Sequence, residues 1–309
     1  MILSSRRAFE RNLHRATVLI LVFLVLIAGP ITSRAADGSK YPATIVFMTD
    51  FGVLDDSVAI CRGVMYGIMP SVRIVDLTHQ VTPFSIFDGA RYLFGATPYY
   101  PAGTVFVVVV DPGVGSARKA IVAHSKKGQY FVLPDNGVIT LVEQHDGIDA
   151  VREITNADWM IGSKLSSTFH GRDIFAPVGA HLARGDDWTQ VGPVVARLVR
   201  LDLKPAKLEP DGLSGEVIAT DGPYGNLITN IDAGQFAQLG YGLGDRVQFS
   251  VAGKTYSMPF VRTFSDVAKG QPLLYVDSRG NLAIAVNQGN AQKMLHVTPP
   301  SRLLLRKKQ

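Results

Sequence analysis

Thr104 to Val110 reads Thr-Val-Phe-Val-Val-Val-Val, an apolar run with no charge and no turn former. Branching at Cβ crowds a helix and suits a pleated surface, so the run is a strand. Successive side chains of a strand point to opposite faces, so both faces here are apolar and both must be covered. Asp111 emerges at the strand's end, where open α/β sheets place their chemistry. The chain continues as Asp111-Pro-Gly-Val-Gly-Ser-Ala-Arg118, and its two glycines allow a tight reversal. Arg118 can then fold back onto Asp111, keeping the carboxylate ionised and aimed. Taken alone, the same residues also describe a capped turn with a surface ion pair.

From Tyr41 to about Ile154, short apolar runs alternate with helical segments, the pattern of a largely parallel sheet covered on both faces. Strands are expected at Ala43 to Met48 and Val72 to Leu77 as well as Thr104 to Val110. A hairpin is expected from Ala120 to His124 and Tyr130 to Leu133, closed by Lys127-Gly128. Helices are expected from a cap at Asp55 or Asp56 to about Met69, from Ser85 to Phe94, and after Pro134-Asp-Asn-Gly137 to about Gln144. The strand ends carry acids repeatedly: Asp50, Asp76, Asp111 and Asp135.

Ser167-Thr-Phe-His-Gly-Arg-Asp173 precedes Ile174 to Leu182, which has the period of a helix. His170, Arg172 and Asp173 therefore arrive together at a helix start, where backbone N–H groups favour a negative charge or a polarised oxygen. A cap or a satisfied core histidine would look the same, and His181 is read in that way. Arg200 to Leu213, with two prolines and no periodicity, is the best boundary in the chain. Beyond it, Glu216 to Ala219, Leu227 to Ile231, Arg246 to Val251, Thr255 to Phe260, Pro272 to Val276 and Leu282 to Val286 are short runs between Gly-rich turns. They describe a small antiparallel β-barrel. The expected fold is thus an N-terminal α/β domain over 41–200 with a C-terminal β-barrel domain over 212–309. Gly113-Val-Gly115 lacks the third glycine of a dinucleotide fingerprint, and Gly253-Lys-Thr255 lacks the upstream glycine of a phosphate loop, so neither is read as a nucleotide site.

The first thirty-five residues stand apart from this pattern. Arg6, Arg7, Arg11 and Arg15 form a basic region, Ala16 to Ala28 is apolar but short for a membrane span, and Ser33-Arg34-Ala35 offers a small-x-small cleavage site. Together they describe an export signal over 1–35, and Ser5-Arg6-Arg7-Ala8-Phe9 resembles the twin-arginine type, pointing to the bacterial periplasm. An uncleaved membrane anchor is the alternative. This segment holds five Arg and one Glu, so it carries +4 of the formal +5 charge. The remainder is nearly neutral, which gives no ground for a nucleic-acid or anionic-membrane partner. A single cysteine, Cys61, forbids an internal disulfide and sits among Val58, Val64, Met65 and Ile68 as a small buried hydrophobe.

Seven motifs in order, Thr49-Asp-Phe-Gly52, Ile74-Val-Asp-Leu-Thr-His79, Asp111-Pro-Gly-Val-Gly115, Pro134-Asp-Asn-Gly137, Ser167-Thr-Phe-His-Gly-Arg-Asp173, Tyr224-Gly-Asn-Leu-Ile-Thr-Asn230 and Ser278-Arg-Gly280, resemble those of the S-adenosylmethionine hydroxide adenosyltransferases. These are hydrolytic relatives of the bacterial fluorinase and chlorinase, and the resemblance runs over residues 43–298. Phe47 to Ala59 also resembles the halogenases, so the subfamily is decided at the reaction centre. The resemblance implies a homotrimer with active sites between subunits, and water or hydroxide attack at ribose C5′ of S-adenosylmethionine, expelling methionine. It implies Asp111, Arg118 and His170 as the catalytic group. Asp50 would accept the ribose hydroxyls, and Phe84, where the fluorinase has tryptophan, would pack on the ribose. Asp55, Asp221, Ser278 and Arg279 would hold the methionine amino and carboxylate groups, and Tyr224, Asn226 and Phe264 would form the adenine site. The resemblance implies S-adenosylmethionine as the substrate, with no further cofactor, and no metal is expected.

The departures from the halogenases have a physical meaning. Asp111 and His170 stand at positions that are aromatic in the fluorinase, Gly171 replaces its halide-binding serine, Val114 replaces a hydroxyl donor, and Val286 replaces an arginine near adenine. A buried carboxylate facing a halide is strongly disfavoured, so hydrolysis is expected over chloride transfer, which is the runner-up. Water needs a base, which either a carboxylate or an imidazole can supply, whereas a sulfonium leaving group needs no acid. Two other readings compete. A metal-dependent phosphoester hydrolase would require ligand spacings that do not stand out, and a periplasmic nucleoside-binding protein would keep the fold without turnover. Export away from a cytoplasmic metabolite leaves either scavenged S-adenosylmethionine or another 5′-activated nucleoside as the substrate. The export signal is tested by N-terminal sequencing of the protein from its host, which should start near Ala36. Replacing Arg6 and Arg7 with Lys should retain the precursor inside, and an intact N-terminus in the parental protein would refute cleavage.

Overall fold

A computed structural model describes residues 41–162 and 164–309; the expected export signal lies outside the described residues. Its first sheet contains β1 (Thr44–Thr49), β2 (Arg73–Thr78), β3 (Val105–Val109), β4 (Ala120–Ser125), β5 (Tyr130–Pro134) and β6 (Ile148–Glu153). Their order is β2-β1-β3-β5-β4-β6. The β2, β1, β3 and β5 strands run parallel, and β4 runs antiparallel to β5 and β6. Parallel neighbours need crossovers, which α1 (Ser57–Ile68) supplies between β1 and β2, and α2 (Ile86–Ala96) between β2 and β3.

The strict alternation along β1 and β3 divides the core in two. Ile45, Phe47, Val105, Val107 and Val109 face one way, against Val58, Cys61 and Met65 of α1 and Val178 of α4 (Ala176–Arg184). Val46, Met48, Phe106 and Val108 face the other, with Leu93 of α2 and Val142 of α3 (Thr140–Asp146). The doubly covered sheet expected from the apolar run is therefore present. Cys61 is wholly buried, and burial pushes its thiol up to about 12, which makes it an inert core hydrophobe.

The second sheet is antiparallel and ordered β11-β10-β14-β8-β9-β13-β12, with β7 added on β8. Its strands are β7 (Lys207–Glu209), β8 (Gly212–Asp221), β9 (Asn226–Asp232), β10 (Arg246–Val251), β11 (Lys254–Pro259), β12 (Pro272–Val276), β13 (Asn281–Val286) and β14 (Ser301–Arg306). A bridge between Phe260 and Leu274 brings the two end strands together, so the sheet curls into the expected barrel. Two of its strands were not expected. The β14 strand lies between β10 and β8, with Leu303 and Leu305 inward and Leu304 outward, an alternation hidden in a continuous Leu-Leu-Leu run. The boundary stretch is also more ordered than its prolines imply. It contains β7, and Arg200 pairs with Glu143 of α3 at 2.6 Å while Leu201 N–H donates to Thr140. Strand β6 and a π-helical turn at Gly171–Phe175, ahead of α4, were likewise not foreseen. Residues 43–309 form one compact unit.

Candidate active site

Asp50 and Asp111 follow the C-terminal ends of two adjacent parallel strands, because Thr49 of β1 is in register with Val109 of β3. Asn136 braces the second of these ends by donating its amide to Val110 C=O at 2.9 Å. Beyond Asp111 the chain turns back as expected. Arg118 Nε donates to Asp111 Oδ1 at 3.0 Å, and Nη2 pairs with the other carboxylate oxygen, making a bidentate fork. The same Nη2 lies 2.7 Å from His170 Nδ1. Asp111, Arg118 and His170 are thus one contiguous group, with the Asp111 and Arg118 side chains only 4% and 10% exposed.

Two loops far apart in sequence meet to make this contact, and backbone geometry decides it. Gly115 has φ +76°, and a Cβ there would stand 2.3 Å from Ser167 C=O, so only glycine lets the two loops touch. On the His170 side, Asp173 is 1% exposed and its Oδ2 accepts Ser166 N–H at 2.7 Å, closing the loop behind His170. Burial pushes the Asp173 carboxyl up, but Arg172 and the Ser166 N–H outweigh it and hold it below the usual range. Immediately after His170, Ala176 N–H reaches back to Gly171 C=O, the wide π-type turn often found at functional sites. His170 itself makes no side-chain cap at the helix start, so the capping alternative does not hold.

The charge state of His170 follows from its surroundings. Burial, and next the Arg118 cation, lower its pKa from 6.5, with partial compensation from Asp111, Asp173 and the Ser166 backbone. A guanidinium can only donate, so His170 Nδ1 is the acceptor and the neutral ring carries its proton on Nε2. The Asp50 loop is tied to the His170 loop by Phe51, a residue that sequence reasoning passed over. Its ring meets Phe169 at 5.9 Å, and it lies 2.9 Å from where a Cβ on Gly171 would stand.

The other expected residues fall into two groups. Asp50 Oδ2 accepts Phe84 N–H at 2.9 Å, and Phe84 is 74% exposed with φ +67°, a strained conformation for an aromatic residue. Asp55 is exposed, and its Oδ1 accepts Ser57 N–H at the start of α1, while the cap position itself belongs to Asp56. On the barrel, Asp221 ends β8 and lies 3.5 Å from Nη1 of Arg91 on α2. Arg279, beside Ser278 in the β12–β13 turn, packs its guanidinium over Gly95 of α2. Tyr224 is 68% exposed, Asn226 is buried at the start of β9, and the Phe264 ring meets Tyr275 at 4.9 Å in a tilted arrangement. Val286 is buried in the barrel core. Among the described residues, no side-chain hydrogen bond or ion pair joins Asp50, Asp111, Arg118 or His170 to Asp221, Tyr224, Asn226, Phe264, Ser278 or Arg279. His181 pairs with Asp186 at 2.6 Å and stacks on Trp159, a structural role. A groove of about 740 Å³ beside Arg246, Arg306 and Lys307 contains none of the expected site residues. Among the described residues no group of three or more His, Cys, Asp or Glu side chains is placed to hold a metal.

The Arg118–His170 contact is tested by NMR titration of the His170 ring. In the parental protein its midpoint should lie below 6.5, and Arg118→Met or Gly115→Ala should raise it; an unchanged midpoint in both would sever the proposed coupling.

Comparison with known proteins identifies the family of the chain. The family model for the SAM hydroxide adenosyltransferase N-terminal domain matches residues 45–192, and that for the C-terminal domain matches residues 215–303. An (R)-S-adenosyl-L-methionine hydrolase of Salinispora tropica is 43% identical over 262 residues, covering 84% of this chain and 96% of its own. A fluorinase of an Actinoplanes species is 34% identical over 271 residues, covering 79% and 90%. The crystal structure of a conserved protein from Thermotoga maritima, 40% identical, superposes with a TM-score of 0.80 over 85% of this chain and 99% of that one. The chain belongs to the SAM hydroxide adenosyltransferase family.

Proposed function

We propose that this protein hydrolyses S-adenosylmethionine to adenosine and methionine by attack of water or hydroxide at ribose C5′. The observation that carries the reading is the Asp111–Arg118–His170 group, a carboxylate and a neutral imidazole fixed on one guanidinium. In this state His170 presents an N–H from Nε2, so it donates to the attacking oxygen and does not take its proton. Asp111 retains lone pairs beyond those used by Arg118 and is the proton acceptor. As the oxygen bonds to C5′, the C5′–S bond breaks and its electron pair returns to sulfur, releasing a neutral thioether while the water proton passes to Asp111. The sulfonium charge disperses in the transition state, so no acid, metal or further cofactor is needed, and positioning supplies much of the rate.

The same site disfavours halide. Asp111 faces the nucleophile position with a negative charge, and Phe51 fills the space that a side chain on Gly171 would require. Asp50 and Phe84 are assigned to the ribose, Asp55, Asp221, Ser278 and Arg279 to the methionine end, and Tyr224, Asn226 and Phe264 to adenine. A homotrimer with sites between subunits accounts for the exposure of Leu54, Phe84 and Tyr224, which a second subunit would cover. The reading includes export to the periplasm by the N-terminal signal, where the substrate is scavenged S-adenosylmethionine or a related sulfonium nucleoside.

Incubation with S-adenosylmethionine in chloride buffer should yield adenosine and methionine by mass spectrometry. Recovery of 5′-chloro-5′-deoxyadenosine would instead assign a halogenase, and unaltered bound nucleoside a binding protein. Asp111→Asn and His170→Ala should each lower turnover by about 10² or more with KM within a few-fold, while Asp50→Ala should raise KM. Parental turnover in both catalytic variants would remove the mechanism. The acid limb of the turnover profile should lie below pH 6.5, because protonation places a hydrogen on Nδ1 against Arg118. The sign for stability is the same: a folded-state pKa below the unfolded value means that stability is lost as pH falls below 6.5.

A further inference from the structure

Asp50 stands on a turn whose backbone is held from the neighbouring strand. His79, just beyond the end of β2 and 6% exposed, makes two connections to that turn. Its C=O accepts Gly52 N–H at 2.7 Å, and its Nδ1 lies 3.0 Å from Thr49 Oγ1. Thr49 is wholly buried, and its hydroxyl oxygen also accepts Phe51 N–H at 3.2 Å. The residues before and after Asp50 are therefore both fixed through His79. The far side of the imidazole is fixed in turn. Nε2 lies 3.0 Å from Asp76 Oδ1, an electrostatic contact and not a well-aligned hydrogen bond, and Arg62 pairs with the other Asp76 oxygen. The ring edge packs on Phe47 at 4.9 Å.

The protons in this chain have one consistent order. The Asp76 carboxylate can only accept, so the neutral His79 ring carries its proton on Nε2, and its unprotonated Nδ1 accepts the Thr49 hydroxyl while Thr49 Oγ1 accepts Phe51 N–H. Burial pushes the Asp76 carboxyl up, but Arg62 and His79 outweigh it and keep it below the usual range, so the anchor of the chain is anionic at neutral pH. Asp50, for its part, spends Oδ2 on Phe84 N–H at 2.9 Å. That bond leaves Oδ1 for a ligand, and the turn sets its direction.

We propose that His79 is a positioning residue for substrate: through Thr49 and Gly52 it fixes the turn that presents the Asp50 carboxylate to the ribose hydroxyls. The proposal rests on the assignment of Asp50 to the ribose. It gives a role to Ile74-Val-Asp-Leu-Thr-His79, a motif that the reaction centre leaves unused.

Calorimetric titration of the full chain with adenosine and with 2′,3′-dideoxyadenosine tests it. The parental protein should prefer adenosine, and Asp50→Ala should abolish the preference. His79→Ala and Thr49→Val should reduce the preference about tenfold or more by weakening adenosine binding while leaving the dideoxy ligand unaffected. His79→Asn should recover most of it, since the amide oxygen stands near the place of Nδ1 and can accept the Thr49 hydroxyl. If His79→Ala does not fold, Thr49→Val decides, because it removes only the hydroxyl from a near-isosteric side chain. A parental adenosine preference in the folded variants, whatever their Tm, overturns the positioning role while leaving Asp50 in place. A parental protein with no preference, matched by Asp50→Ala, removes the ribose assignment and this inference with it.

Discussion

Arg118 is the interaction on which the site depends. A guanidinium offers donors in a fixed plane and accepts nothing, so a carboxylate and an imidazole placed on it have their states decided for them. Asp111 is gripped through both oxygens, and His170 must turn an unprotonated Nδ1 toward the same cation. In the proposed reaction this divides their roles, Asp111 accepting a proton and His170 donating a hydrogen bond. Neither role is a property of the residue type alone.

The scaffold around that pair explains how it is held. Parallel strands β1 and β3 end side by side, so two acidic loops emerge together from a rigid core. The third loop is brought in by a close backbone approach at Gly115 and by the buried Asp173, which closes the turn before the π-helical residues. Phe51 fills the space between loops and leaves no room for a larger residue at 171. A side chain offering a hydroxyl at that position would therefore require the Phe51 ring to shift.

The barrel contributes differently. Asp221 and Arg279 lie against α2, on Arg91 and Gly95, and the exposed aromatic side chains Phe84 and Tyr224 belong one to each half of the chain. Arg91 is buried at this junction with Nε and Nη2 lacking hydrogen-bond partners, so it is an electrostatic tether of Asp221 to the α/β part.

The sequence alone determined the doubly covered sheet, because an unbroken β-branched run can satisfy both its faces in no other way, and it determined the acids at the strand ends. It also carried the Asp111–Arg118 pair, since seven residues with two glycines leave a short return path. The short barrel strands were legible from their turns, except β14, whose three consecutive leucines conceal an alternation that only pairing with β8 and β10 reveals. Tertiary structure decided the rest. His170 and Arg118 are brought together by a glycine-to-carbonyl approach, Phe51 becomes the filler between loops, and His79 becomes the support of the Asp50 turn. These are contacts between segments separated by about thirty residues or more. No local propensity encodes such contacts, because their energy exists only once the strands have fixed which loops are neighbours.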